Sequence, residues 1–79
     1  MNAREATLAL LEARVEGATV CPSEVARAMT GPEGDWRDAM PEVHAAIDQM
    51  VEAGLVRLSW KGRMMEARGG PYRIRRGGA

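Results

Sequence analysis

The chain has 79 residues, 46% of them hydrophobic and 28% charged, which describes one small folded domain with a single core and excludes both a second domain and a charge-rich disordered tail. No segment is apolar for the ~20 residues that a membrane-spanning helix needs. The formal net charge of zero is a cancellation: residues 1–54 hold four arginines against ten acids, a net −6, and residues 55–79 hold seven basic residues against Glu66 alone, a net +6.

Asn2, followed three residues later by Glu5, has the form of a capping box. Leu8, Leu11 and Val15 then recur at helical spacing, which predicts a first helix over residues 3–16, stopped by Gly17. Residues 18–21 are small or β-branched and lie between a glycine and a proline, so they suit a short extended segment able to pair with a later strand. Pro22 and Ser23 open a short second helix whose inner face is Val25, Ala28 and Met29. A turn follows over residues 31–35, with Asp35 placed to cap the turn that begins at Trp36.

Pro41 is expected in the first turn of the third helix, where its missing N–H costs least. Met40, Val43, Ile47, Met50 and Val51 form that helix's apolar stripe, and Gly54 closes it. From Leu55 the hydrophobic period changes to two. Val56, Leu58 and Trp60 predict a strand ended by Lys61-Gly62, and after the Gly69-Gly70-Pro71 loop, Tyr72 and Ile74 alternate with Arg73 and Arg75 as a returning strand. The fold class expected is α+β: a winged helix-turn-helix of three helices with a two- or three-stranded β-hairpin wing. Residues 1–76 would form the domain, and 77–79 a frayed tail.

Several stretches resemble a known family. They are Cys21-Pro22-Ser23-Glu24-Val25-Ala26-Arg27-Ala28, Asp35-Trp36-Arg37-Asp38-Ala39-Met40-Pro41, Lys61-Gly62-Arg63 and Gly70-Pro71-Tyr72-Arg73-Ile74-Arg75. In their order and spacing, which span nearly the whole chain, they are similar to the family catalogued as domain of unknown function 3253, small bacterial proteins with a winged-helix fold. The resemblance implies the fold and carries over no catalytic residue.

Positive charge collects on the predicted wing: Arg57, Lys61, Arg63, Arg68, Arg73, Arg75 and Arg76. Guanidiniums alternating with inward Tyr72 and Ile74 would share one hairpin face, where phosphates can accept fork-shaped contacts. The plain structural reading is a solvated strand edge guarded against aggregation by its charges. On the third helix, the usual base reader of this fold, the exposed side holds Glu42, Ala45, Ala46, Asp48, Gln49 and Glu52; Gln49 and His44 are its candidates for base contacts.

Cys21 is the only cysteine, which precludes an intrachain disulfide and favours a reducing cytoplasm. The N-terminal residues lack the uninterrupted apolar stretch of a signal peptide. With no histidine near it in sequence, Cys21 reads as a small buried hydrophobe. Glu33, Asp35, Asp38 and Glu42 follow no calcium-loop spacing and read as caps and solvated groups. Met29, Met40 and Met50 fall on core stripes, leaving Met64 and Met65 for any adaptable surface; Trp36 should pin its turn to the core, and Trp60 either packs inward or stacks on a base.

No nucleophile with a base, phosphate loop or metal-spaced ligand set is present, so no enzyme activity, cofactor, metal or small-molecule ligand is expected. The expectation is a binding module whose basic wing meets nucleic acid, DNA or RNA. Its rival is a protein-interaction module in which the wing meets an acidic partner or a second copy.

Overall fold

In the computed structural model, which describes residues 1–77, three helices precede three strands. The helices are α1 (Ala3–Glu12), α2 (Pro22–Thr30) and α3 (Trp36–Glu52); the strands are β1 (Val56–Trp60), β2 (Arg63–Met65) and β3 (Arg73–Arg76). The strands form one antiparallel sheet in the order β2-β1-β3. This α+β layout is consistent with the expected winged helix.

The capping box holds α1 at its start: Glu5 N–H donates to Asn2 Oδ1 at 2.8 Å, and Asn2 N–H donates to the Glu5 carboxylate at 3.0 Å. The helix ends at Glu12, four residues earlier than its leucine spacing predicts. Arg14 accounts for the early end. Its guanidinium leaves the helical path to bind the Glu24 carboxylate at 2.6 Å and the Thr19 carbonyl at 3.0 Å, tying the α1–α2 loop to the start of α2. The buried face of α1 is accordingly Ala3, Ala6, Thr7 and Leu11, whereas Leu8 and Val15 are exposed. Thr7 satisfies its buried hydroxyl on the Ala3 carbonyl at 2.8 Å.

Helix α3 begins at Trp36 because Asp35 caps it, the carboxylate accepting from Arg37 N–H at 3.1 Å. Pro41 therefore lies inside the helix and not in its first turn. It removes the N–H that would bond the Arg37 carbonyl, a loss tolerable here because both residues are exposed to water. At the other end, Gly54 adopts φ 76°, with Gly54 N–H on Val51 O at 3.0 Å and Leu55 N–H on Met50 O at 2.9 Å, which is a Schellman closure.

The wing differs most from expectation. Lys61 and Gly62 take left-handed φ values of 51° and 81° and reverse the chain in two residues, so that Arg63 lies opposite Trp60 in an immediate hairpin. The returning strand β3 pairs instead along the other edge of β1, with Arg57 opposite Arg75 and Leu58 opposite Ile74. Beyond β3, the extended segment pairs as expected: Val20 and Ile74 exchange backbone hydrogen bonds of 2.7 and 2.8 Å. Lysine is poorly suited to a left-handed turn position and asparagine well suited. Lys61→Asn is expected to stabilise the fold by about 0.5–1 kcal/mol in urea melts, and an unchanged or lower midpoint would contradict the assigned turn.

The core gathers Leu11, Val20, Val25, Val43, Ile47, Met50, Val56, Leu58, Tyr72 and Ile74, all at most 4% exposed. Met29, Met40 and Met65 pack half-buried against it, while Met64 is exposed. Gly77 is held by a bond from its N–H to Leu55 O at 3.0 Å; the rest of the expected tail, Gly78 and Ala79, lies outside the described residues.

Candidate nucleic-acid interface

Strand pairing divides the wing residues between two sheet faces. Val56, Leu58 and Ile74 point into the core, which turns Arg57, Ser59, Met64, Arg73 and Arg75 to the outer face. The alternation of arginine with apolar residues in β3 thus has the effect read from the sequence, and β1 contributes Arg57 beside it.

The outer-face and edge arginines are oriented by the body of the protein. Arg73 donates from Nε to Thr19 Oγ1 at 2.7 Å and from Nη2 to the Thr19 carbonyl at 3.4 Å. Arg75 donates to the Gly17 carbonyl at 3.4 Å, and Arg76 to the Leu11 carbonyl at 3.1 Å. Leu11 lies in the last turn of α1, which holds no basic residue of its own, so Arg76 supplies the cation that an exposed helix C-terminus favours. Carbonyl and hydroxyl acceptors fix these guanidiniums without cancelling their charge. Arg57, Lys61 and Arg63 are exposed and make no side-chain hydrogen bond or ion pair among the described residues.

Arg68 and His44 are used internally. Arg68 grips Asp48 of α3 through Nε at 2.7 Å and Nη2 at 2.8 Å, and this fork holds the Asp48 carboxyl below its ordinary range. His44 Nδ1 lies 2.7 Å from the Tyr72 hydroxyl, and burial among the same groups pushes the Tyr72 hydroxyl up to about 12. Together these bonds strap the loop between β2 and β3 onto α3. The face of α3 on which His44 was expected to read bases is thereby partly occupied by the protein's own chain. Gln49 remains exposed, with Glu42 and Glu52 exposed on the same helix.

Burial, and then the nearby Arg68 cation, lower the pKa of His44 below its usual 6.5, against the opposing pull of Asp48. The folded state therefore favours neutral imidazole. The stability this confers is complete above the ordinary histidine pKa and is lost as pH falls through the lower folded value. Melting points of the wild type should drop between about pH 7.5 and about pH 5.5, and His44→Gln should flatten that part of the profile. Identical slopes in the two proteins would exclude the imidazole as the cause.

Sequence reasoning missed a second basic pair. Arg27 and Arg37 sit 4.8 and 4.6 Å from the ring of Trp36, which is half-buried against the core as the pin of its turn. Their convergence depends on how α2 meets α3, for which the spacing of 27, 36 and 37 gives no signal. Cys21 is half-buried and not fully buried as expected: it is the N-cap residue of α2, where its N–H donates to the Glu24 carboxylate at 2.7 Å and its thiol lies 3.1 Å from Ser23 Oγ.

Residues 1–77 match the family described as protein of unknown function (DUF3253). The chain belongs to this family. A comparison with curated proteins found no match. As a DUF3253 protein, the chain takes no activity from its family's description. Among the described residues, no helix is long and apolar enough to cross a membrane.

Proposed function

We propose that this DUF3253 protein binds nucleic acid through the outer face and tip of its wing, holding the phosphate backbone and not reading base sequence through α3. One observation carries the reading: of the seven wing cations, only Arg68 is paired with a carboxylate among the described residues. Arg57, Lys61 and Arg63 stand free in solvent, and Arg73, Arg75 and Arg76 are aimed by neutral acceptors. Guanidiniums so placed keep their charge and have lost part of the freedom that binding would otherwise remove. On α3, the exposed Glu42 and Glu52 flank Gln49 and repel phosphate. A cytoplasmic setting fits the single unpaired cysteine.

A titration of labelled duplex, hairpin RNA and single strands over a salt series tests the reading. With about four phosphates neutralised, log affinity for duplex DNA should fall against log salt with a slope of roughly −3.6. No binding at low salt would remove the proposal. Self-association that dissociates in salt would then favour the rival use of the wing, against the acidic helices of a second copy.

A further inference from the structure

Away from the wing tip, an open cleft of about 510 Å³ lies between the outer face of the sheet and the α1–α2 loop, lined by Glu16, Gly17, Arg57, Met64, Arg75, Arg76 and Gly77. Arg57 and Arg75 are directly opposed on neighbouring strands. Like charges in that position repel, and neither has a carboxylate partner among the described residues. Arg75 is held at the cleft by the carbonyl of Gly17, which lines it, whereas Arg76 lies at its edge and donates to the Leu11 carbonyl outside it. Three guanidiniums against the single carboxylate of Glu16 give the lining a net +2.

We propose that this cleft holds a phosphate monoester, with Arg57 and Arg75 clasping its oxygens from adjacent strands and Arg76 contributing charge from the edge. The match is chemical. A phosphate monoester carries close to two negative charges at neutral pH and offers three acceptor oxygens, and guanidiniums bind such oxygens in pairs. An occupant also relieves the opposition of Arg57 and Arg75, neither of which is ion-paired with a carboxylate among the described residues. The site shares Arg57, Arg75 and Arg76 with the polymer reading above, but Lys61 and Arg63 at the wing tip lie outside it, so the two are separable by experiment.

Thermal melts and calorimetric titrations at constant ionic strength, with phosphate replacing chloride, test the site. At roughly ten times its dissociation constant, inorganic phosphate should raise the melting point of the wild type by about 5–10 °C. Arg57→Gln should bind phosphate about tenfold more weakly, yet melt higher than the wild type in chloride because the facing charges no longer repel. Arg75→Gln should also bind about tenfold more weakly. Arg4→Gln, which removes one positive charge outside the cleft, should respond as the wild type does. Glu16→Gln should bind severalfold more tightly.

Comparing a sugar phosphate with oligonucleotides that carry or lack a terminal phosphate identifies the source of the group. Preference for the sugar phosphate assigns a free small molecule, and preference for the phosphorylated oligonucleotide assigns a nucleic-acid end. The proposal is overturned if phosphate shifts the melting point no more than chloride does, or if Arg57→Gln responds as fully as the wild type. Phosphate binding without oligonucleotide binding would keep this site and remove the reading above; the reverse result would keep that reading and remove this site.

Discussion

Replacing Arg57, Lys61 and Arg63 together by glutamine is expected to weaken duplex binding by about 500-fold near 0.1 M salt and to reduce the salt slope by about 2.7. The size follows from counterion release, in which each phosphate contact contributes about 0.9 to the slope, so three lost contacts multiply to between two and three orders of magnitude. The fold should survive, because all three side chains are exposed and make no side-chain hydrogen bond among the described residues. Circular dichroism and a urea melt run beside the titration would establish that. Because Lys61→Asn alone should stabilise the turn while lowering the slope by about 0.9, binding and stability are separable at this residue. A triple variant that binds as the wild type does, with its slope unchanged, would show that these cations face no phosphate.

The second large effect concerns the attachment of the wing to the helical body. Ile74 is fully buried, lies opposite Leu58 in the sheet, and exchanges both backbone bonds with Val20 from the α1–α2 loop. Truncating such a side chain typically costs about 2–5 kcal/mol, and a core of this size rarely supplies more than about 3–5 kcal/mol in all. Ile74→Ala should therefore leave the protein at the edge of unfolding at room temperature, whereas Ile74→Val should cost only about 0.5–1.5 kcal/mol. Urea midpoints measure both. An alanine variant as stable as the valine variant would mean that β3 is not the hinge between sheet and helices.

Each element of the fold leaves a different kind of signal in the sequence. Helix α3 was legible because Val43, Ile47 and Met50 repeat at helical spacing and are buried. Its true start was obscured by Pro41, which usually marks a first turn and here sits within the helix because Asp35 caps earlier. The end of α1 was misplaced because Val15 continues the leucine spacing, although Arg14 is drawn away by Glu24 on another helix. Strand β2 has three residues and neither alternation nor β-branching, so its only trace is the Lys61-Gly62 turn before it.

The basic wing was visible as composition, but the fates of its arginines were not. Nothing in the chain announces that Arg68 reaches Asp48 across 20 positions, or that Arg73 reaches Thr19 across 54. Those partners belong to the tertiary fold. They convert a run of like residues into one internally paired cation, three oriented ones and three free ones.

Backbone-amide footprinting by NMR with a short labelled oligonucleotide at low salt is the most direct test of where contact is made. The expected footprint covers Arg57, the turn from Trp60 to Arg63, and β3, and leaves Glu42, Gln49 and Glu52 of α3 unmoved. Shifts concentrated on α3, with the sheet silent, would contradict recognition through the wing.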